Sequence, residues 1–296
     1  MKCFFRLEDR SFLGDFGGPI FQWRDDHWEQ IGIASSTSNN CRQDSIVVYT
    51  RLAYYRDWIE ENIHKNTNET VPPTITLPPI TPRPPDIYEC EKDAISCGCG
   101  RRSVQISDSN NYQAIPYSWS MIVSIRLHHP NQHSCSGTIL SESYILTSAS
   151  CLSNAFSMKI IIMAGIHNLS ESTEISRRVD QVFIHPNYIG VADNHANDIA
   201  ILHMSEALNL ENNLFLSSIC LPKRYASFPD SIYYPIEGAS LVVIGWGLMA
   251  CENKTDEHLL QQTQVQVVAQ KNKNCYVLEN DQQIQFCARF NDEHPG

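Results

Sequence analysis

Seven prolines crowd into one short stretch: Pro72, Pro73, Pro78, Pro79, Pro82, Pro84 and Pro85, interleaved with threonines. Proline fixes its own φ, lacks the N–H that a sheet ladder needs, and pushes the preceding residue toward extended backbone. Such a run favours polyproline conformations and builds no core. It divides the chain into a segment 1–64, a linker 65–96 and a segment 97–296. Thr-Pro composition of this type also suits O-glycans in a secreted protein.

Both flanks read as short strands. In the first, Ile31-Gly32-Ile33-Ala34 and Ser45-Ile46-Val47-Val48-Tyr49 are strand-like by their β-branched content. A helix follows from Tyr54 to Ile63, with Tyr55, Trp58, Ile59 and Ile63 on one face. The second flank predicts strands over Met121–Leu127, Tyr144–Thr147, Lys159–Met163, Asp198–His203, Ser240–Ile244 and Gln264–Val268. Many short strands with few helices indicate an all-β sandwich or barrel. No fixed period repeats, which excludes solenoids and propellers.

The net charge of -11 offers no footprint for nucleic acid or an anionic membrane surface. No apolar run is long enough to span a bilayer as a helix. Eleven cysteines, with the acceptor triplets at Asn68, Asn168 and Asn253, point to the secretory route and an extracellular location. The opening Met1-Lys2-Cys3-Phe4-Phe5-Arg6 lacks a signal peptide's apolar core. A cysteine-rich chain without an export signal is expected to be an incomplete gene product or one piece of a longer secreted chain. Cys97-Gly98-Cys99 is too tight for a zinc ligand pair and no histidine pair follows it, so no metal or other cofactor is expected.

The chemistry lies in a set of motifs. Cys135-Ser136-Gly137-Thr138-Ile139-Leu140 precedes Tyr144-Ile145-Leu146-Thr147-Ser148-Ala149-Ser150-Cys151. Ala196-Asn197-Asp198-Ile199-Ala200-Ile201-Leu202, Ile219-Cys220-Leu221-Pro222, Gly245-Trp246-Gly247 and Phe286-Cys287-Ala288 follow in order. Gly14-Asp15-Phe16-Gly17-Gly18-Pro19 stands near the start, ahead of Ile31-Gly32-Ile33, Val48-Tyr49-Thr50-Arg51-Leu52 and Trp58-Ile59. Together these resemble the trypsin-like serine proteases over everything but the linker. The second segment is similar to the first two-thirds of such a domain, and the first segment to its last quarter. The resemblance implies two packed antiparallel β-barrels, with a closing C-terminal-type helix at the end of the first segment and the order of the segments inverted.

In that family a serine hydroxyl attacks the substrate carbonyl, an imidazole takes its proton, and a buried carboxylate orients the imidazole. By the resemblance, Asp198 keeps the carboxylate position, Ser150 stands at the base position and Phe16 at the nucleophile position. A serine side chain is no base near neutral pH and is too short to stand in for an imidazole. A phenyl ring is no nucleophile. Loss of either group alone costs roughly 10⁶ in kcat where it has been dissected in a serine protease. Gly14 matches an oxyanion donor, in a pocket that the Phe16 ring is expected to crowd. Arg10 sits six residues before Phe16, where trypsin itself carries the acidic residue of the specificity pocket. The activation site is also altered: Arg101-Arg102-Ser103-Val104 would release a serine N-terminus rather than an apolar one. The resemblance further implies bridges Cys135–Cys151 and Cys275–Cys287, with Cys97 or Cys99 reaching Cys220. Histidines such as His185 and His195 read as surface or packing residues.

Half a barrel leaves unpaired strand edges. Cys3 and Cys287 both resemble the same family cysteine, an overlap that favours a chain cut across two tandem copies, with further trypsin-like domains beyond it. For this chain in isolation, the linker's roughly 32 residues can reach about 100 Å at about 3.3 Å each, so the two segments are expected to dock and share a sheet. The functional expectation is a secreted serine endopeptidase homologue, inactive as written, that binds protein or peptide ligands. The alternative is a fragment of a larger, active multidomain endopeptidase.

Overall fold

In the computed structural model, residues 16–24, 26–37, 46–64, 87–90, 97–100, 102–106, 113–127, 131–152, 159–171, 175–222, 234–247, 258–269, 272, 275 and 282–290 are described. Alternating apolar residues in the second segment form six strands: β6 (Ile122–Leu127), β7 (Gln132–Ile139), β8 (Tyr144–Thr147), β9 (Ile160–Ala164), β10 (Ser176–Ile184) and β11 (Ala200–Met204). They pair antiparallel in the order β10-β11-β8-β7-β6-β9 and close into a barrel. Val123, Ile125, Ile145, Ile162 and Leu202 fill its interior.

The other barrel uses both flanks of the linker. The first segment supplies β1 (Pro19–Arg24), β2 (His27–Thr37) and β3 (Ile46–Arg51); the second supplies β12 (Ser240–Gly245), β13 (Gln261–Val267) and β14 (Gln285–Phe290). The closed order is β1-β12-β13-β14-β3-β2. Two seams join the segments. In one, Ile20 and Phe21 of β1 face Val243 and Val242; in the other, β14 runs beside β3 from Gln285↔Thr50 to Arg289↔Ile46. The segments therefore share a sheet, as a chain with half a barrel on each flank requires. Ile20, Ile31, Tyr49, Val243, Val265 and Phe286 fill this interior.

Helix α1 (Leu52–His64) follows β3 directly. Leu52, Tyr55, Ile59 and Ile63 are buried at spacings of three and four, the period of one helical face. Its Tyr55 hydroxyl donates to Asn197 Oδ1 at 2.9 Å, and the rings of Tyr55 and Trp58 pack on His185. The helix of the first segment thus lies on loops of the first barrel. Between the barrels runs a larger apolar cluster that includes Phe21, Trp28, Trp119 and Trp246.

The boundary of the linker shifts. Ile87–Tyr88 (β4), which proline content places within it, pairs with Val104–Gln105 (β5). Tyr88 is buried against the rings of Trp23 and Trp28, at centroid distances of 5.1 and 4.7 Å. Proline density governs only the stretch before it; an aromatic residue beside the barrel gains more from burial than from solvation. No helix among the described residues is long and apolar enough to cross a membrane.

Candidate active site

Asp198 stands just ahead of β11, at the end of a turn that needs three left-handed residues, Asn194 (φ 45°), His195 (φ 55°) and Asn197 (φ 59°). Asparagine tolerates this region because its short side chain can bond locally, and histidine is also enriched there. The turn delivers a fully buried carboxylate. Oδ2 accepts from Ser35 Oγ at 2.6 Å and from Ser150 Oγ at 2.9 Å, while Oδ1 accepts from Ser150 N at 2.7 Å. Among the described residues these are its hydrogen-bond donors, and no imidazole is one of them. Burial raises the Asp198 pKa; the bonds from Ser35 and Ser150 and the nearby His195 charge pull in the other direction without cancelling it.

Ser150 opens a 3₁₀ turn, Ser150–Leu152, pinned by the bridge Cys135–Cys151. Its hydroxyl also meets Ser148 Oγ at 2.9 Å. Both backbone N–H and hydroxyl reach Asp198, because the whole turn approaches it. Asp198 is thus engaged in positioning Ser150, although a hydroxyl so placed still offers no basic atom near neutral pH.

Ser35 of β2 and Thr50 of β3 were not legible as site residues. Thr50 Oγ1 donates to the Asp198 backbone carbonyl at 2.9 Å. Both sit in strands of the first segment, so the carboxylate is held from both sides of the linker. The available signal was a small hydroxyl residue at the end of an apolar run, a pattern too common to single out.

Phe16, which the resemblance sets at the nucleophile position, meets the same loop. Ser136 N donates to the Phe16 carbonyl at 3.0 Å, and Gly17 N to the Ala34 carbonyl at 3.0 Å. Gly17 has φ +76°, and a Cβ there would stand 2.2 Å from Thr147 Oγ1, 2.5 Å from Ser136 O and 3.1 Å from Cys151 Sγ. Glycine is the residue that fits this approach. The Phe16 ring is half-buried and packs on the core of the first barrel, a cluster that includes Ala149 and Leu152. The structure therefore brings Phe16, Ser150 and Asp198 into one neighbourhood. Gly14, Asp15 and Arg10 lie outside the described residues.

Around this centre, Tyr188 OH bonds His195 Nδ1 at 3.2 Å, and burial followed by the Asp198 charge pushes the phenol up to about 12. Burial between α1 and its own loop lowers the His185 pKa. Further out, the bridges are Cys135–Cys151, Cys275–Cys287, Cys97–Cys220 and Cys90–Cys99. Cys97, not Cys99, takes Cys220; Cys99 closes on Cys90. Asn168 lies in a turn where its Oδ1 accepts from Ser170 N at 2.8 Å. Asn68, Asn253, Cys3, Cys41 and Cys251 lie outside the described residues.

Comparison with known proteins adds four findings. The Trypsin family model matches residues 108–296. Venom serine protease 34 of Apis mellifera is 28% identical over 255 residues, which cover 81% of this chain and 58% of that protein. Ovochymase of Halocynthia roretzi is 32% identical over 150 residues, 50% of this chain and 9% of that protein. Chymotrypsin-C of Bos taurus is 30% identical over 139 residues, 45% and 47% of the two chains. The chain spans less than two thirds of the length of each of these relatives.

Proposed function

The chain belongs to the trypsin family, and from that premise we propose that it is a secreted homologue that binds protein or peptide ligands without hydrolysing them. The observation that carries this reading is the bonding of Asp198. Its carboxylate is taken up by the hydroxyls of Ser35 and Ser150 and by the Ser150 N–H, where acyl transfer needs an imidazole. Phe16, at the position of the attacking hydroxyl, supplies no nucleophile. The bridges fit an oxidising compartment, and Asn168 in its turn is the described candidate for N-glycosylation. Exposure of the purified chain to a serine-directed fluorophosphonate probe, in parallel with fluorogenic peptide substrates, tests the inactivity. The expected result is neither labelling nor turnover above buffer. Labelling that maps to any serine of this chain overturns the reading.

A second reading is supported by the lengths of the relatives, above all ovochymase, of which the match covers 9%. Here the chain is part of a larger endopeptidase whose other trypsin-like units carry the activity. Intact mass and peptide mapping of the naturally secreted product separate the two. A longer chain with a second unit that labels with the probe favours this reading; a product of this length that stays unlabelled favours the first.

A further inference from the structure

Residues 16–64 meet the rest of the molecule as a separate chain would. Among the described residues no disulfide ties them to it. Two sheet seams make the joint, β1 against β12 and β3 against β14, and buried polar bonds reinforce it. Gln30 is fully buried, and its Oε1 accepts from Thr138 Oγ1 at 2.7 Å. Arg51, 1% exposed, donates through Nη2 to the Gln285 carbonyl at 3.1 Å and through its backbone N–H to the Ile284 carbonyl at 2.8 Å. Arg56 Nη1 donates to the Leu221 carbonyl at 3.2 Å. Undocked, each segment would hold half of the second barrel, with bare strand edges and with buried polar groups robbed of these partners. Each half therefore requires its complement.

Each of these contacts joins residues 16–64 to residues 97–290, and none of them needs the linker. Any chain that carries the same second segment supplies them equally, and a second copy of this chain is such a partner. What the linker decides is which copy docks. Residues 65–86, between α1 and β4, hold all seven of the prolines named above. At about 3.1 Å per residue, a polyproline stretch of that length spans roughly 70 Å. A domain of this size is about 45 Å across. That reach serves a neighbouring copy as well as the chain's own second segment, and proline content favours extension over doubling back.

We propose that the partner of this surface is a second copy of the chain: two copies exchange residues 16–64 reciprocally, through the seams β1–β12 and β14–β3, into a closed dimer. Each site in the dimer is then composite. Asp198 and Ser150 come from one copy, while Ser35, Thr50 and Phe16 come from the other. Closure as a pair leaves no half barrel unmatched, whereas an open string of copies leaves one at each end. The seams are the same in monomer and dimer, so concentration sets the balance. Its midpoint lies near the effective concentration that the linker provides, on the millimolar scale.

The exchange does not depend on whether the chain is an enzyme, and its test needs no activity. The full chain, with a protease site placed between Pro73 and Pro78, is prepared in heavy-nitrogen and unlabelled forms. Equal amounts are unfolded together in urea with disulfides intact, then refolded at about 500 µM and at about 1 µM. Size-exclusion chromatography is expected to find about a third of the chain as dimer at the higher concentration and below about 1% at the lower. The linkers of the isolated dimer are then cut, and native mass spectrometry reads the products without dilution. Cutting is expected to split the dimer into monomer-sized complexes, about half of which pair a heavy first segment with a light second segment or the reverse. Heavy and light monomers, cut separately and mixed for the same time, give the background of re-pairing. Absence of a dimer, a ladder of larger species, a dimer that survives cutting, or mixed pairs no more frequent than that background overturns the proposal.

Discussion

The two barrels are made of similar strands and differ in how the chain reaches them. The first takes all six strands from β6 to β11, one unbroken stretch that starts at Ile122 and ends at Met204. The second takes three strands from each flank of the linker and closes only through the seams β1–β12 and β14–β3. The first barrel is specified by near neighbours in sequence; the second needs partners more than 180 residues apart, such as Ile20 with Val243 and Thr50 with Gln285. Non-local pairing must meet its loop-closure entropy before it gains any contact. The site straddles this contrast. Ser150 and Asp198 come with the first barrel, while Ser35, Thr50 and Phe16 arrive with the first segment.

The largest way to break the comparison is to cut the linker. Among the described residues no disulfide joins residues 16–64 to the rest, so strand pairing and packing hold the first segment in place. A protease site inserted between Pro73 and Pro78, then cleaved, turns an intramolecular docking into a bimolecular one. With an effective concentration on the millimolar scale and about 0.1 µM protein, the loss is roughly 5 kcal/mol. Native mass spectrometry on dilution is expected to show the first segment released from the rest. Retention at every dilution would mean that contacts other than the two seams hold it.

Phe286→Ala comes next, at about 3–5 kcal/mol. The ring is 2% exposed, stacks on Tyr49 at 5.5 Å, and lies under Arg51 at 5.1 Å, so it packs across the β14–β3 seam. Ile162→Ala, in the core of the first barrel, is expected to cost about 2–5 kcal/mol by the same cavity argument. The two differ in what they uncouple. After the linker is cut, Phe286→Ala is expected to raise the dissociation constant of the first segment at least tenfold, and Ile162→Ala to change it little. Equal effects would show that the barrels fold as one indivisible unit.

Much of this architecture was legible because motif and periodicity agreed. The strands at Tyr144–Thr147 and Ser240–Gly245 and the helix at Leu52–His64 lie close to where β-branched runs and helical spacing put them. The sharing of a sheet followed from each flank holding half a barrel. Strand β10 was less visible, since Ser-Arg-Arg-Val-Asp-Gln-Val-Phe-Ile is polar and largely exposed. Tyr88 was hidden by its neighbours' composition, although its own side chain is core. At the site, Asp198, Ser150 and Phe16 were singled out by motif position, and the structure brings them into one neighbourhood. Ser35 and Thr50 were not, because a hydroxyl's role depends on what tertiary structure places 2.6–2.9 Å away. Neither was the reach of Ser150, which is a property of the turn's approach and not of side-chain length.

Asp198 gives the smallest and most discriminating effect. Asp198→Ala removes the acceptor of three donors inside the protein, and with buried hydrogen-bonding groups left unmatched it is expected to cost about 2–3 kcal/mol. Asp198→Asn behaves differently. Its amide oxygen still accepts from Ser150 N, and the hydroxyls of Ser35 and Ser150 can turn to accept from its NH₂. A change below about 1 kcal/mol is expected at neutral pH. The pH dependence separates the two barrels' contributions further. Burial raises the Asp198 pKa, so the folded protein holds this proton more tightly than the unfolded chain does. Stability from this group is then greatest below the unfolded carboxylate value near pH 4, and it falls as pH rises toward the folded value. The Asn variant lacks this slope. Urea midpoints measured from about pH 4 upward should therefore fall for the parent relative to Asp198→Asn. A constant offset between the two would mean that the hydroxyls of Ser35 and Ser150 and the Ser150 N–H fully offset the buried charge. The slope thus measures a specific consequence of the residue at 150: a hydroxyl satisfies the carboxylate's geometry, but it brings no positive charge to balance it.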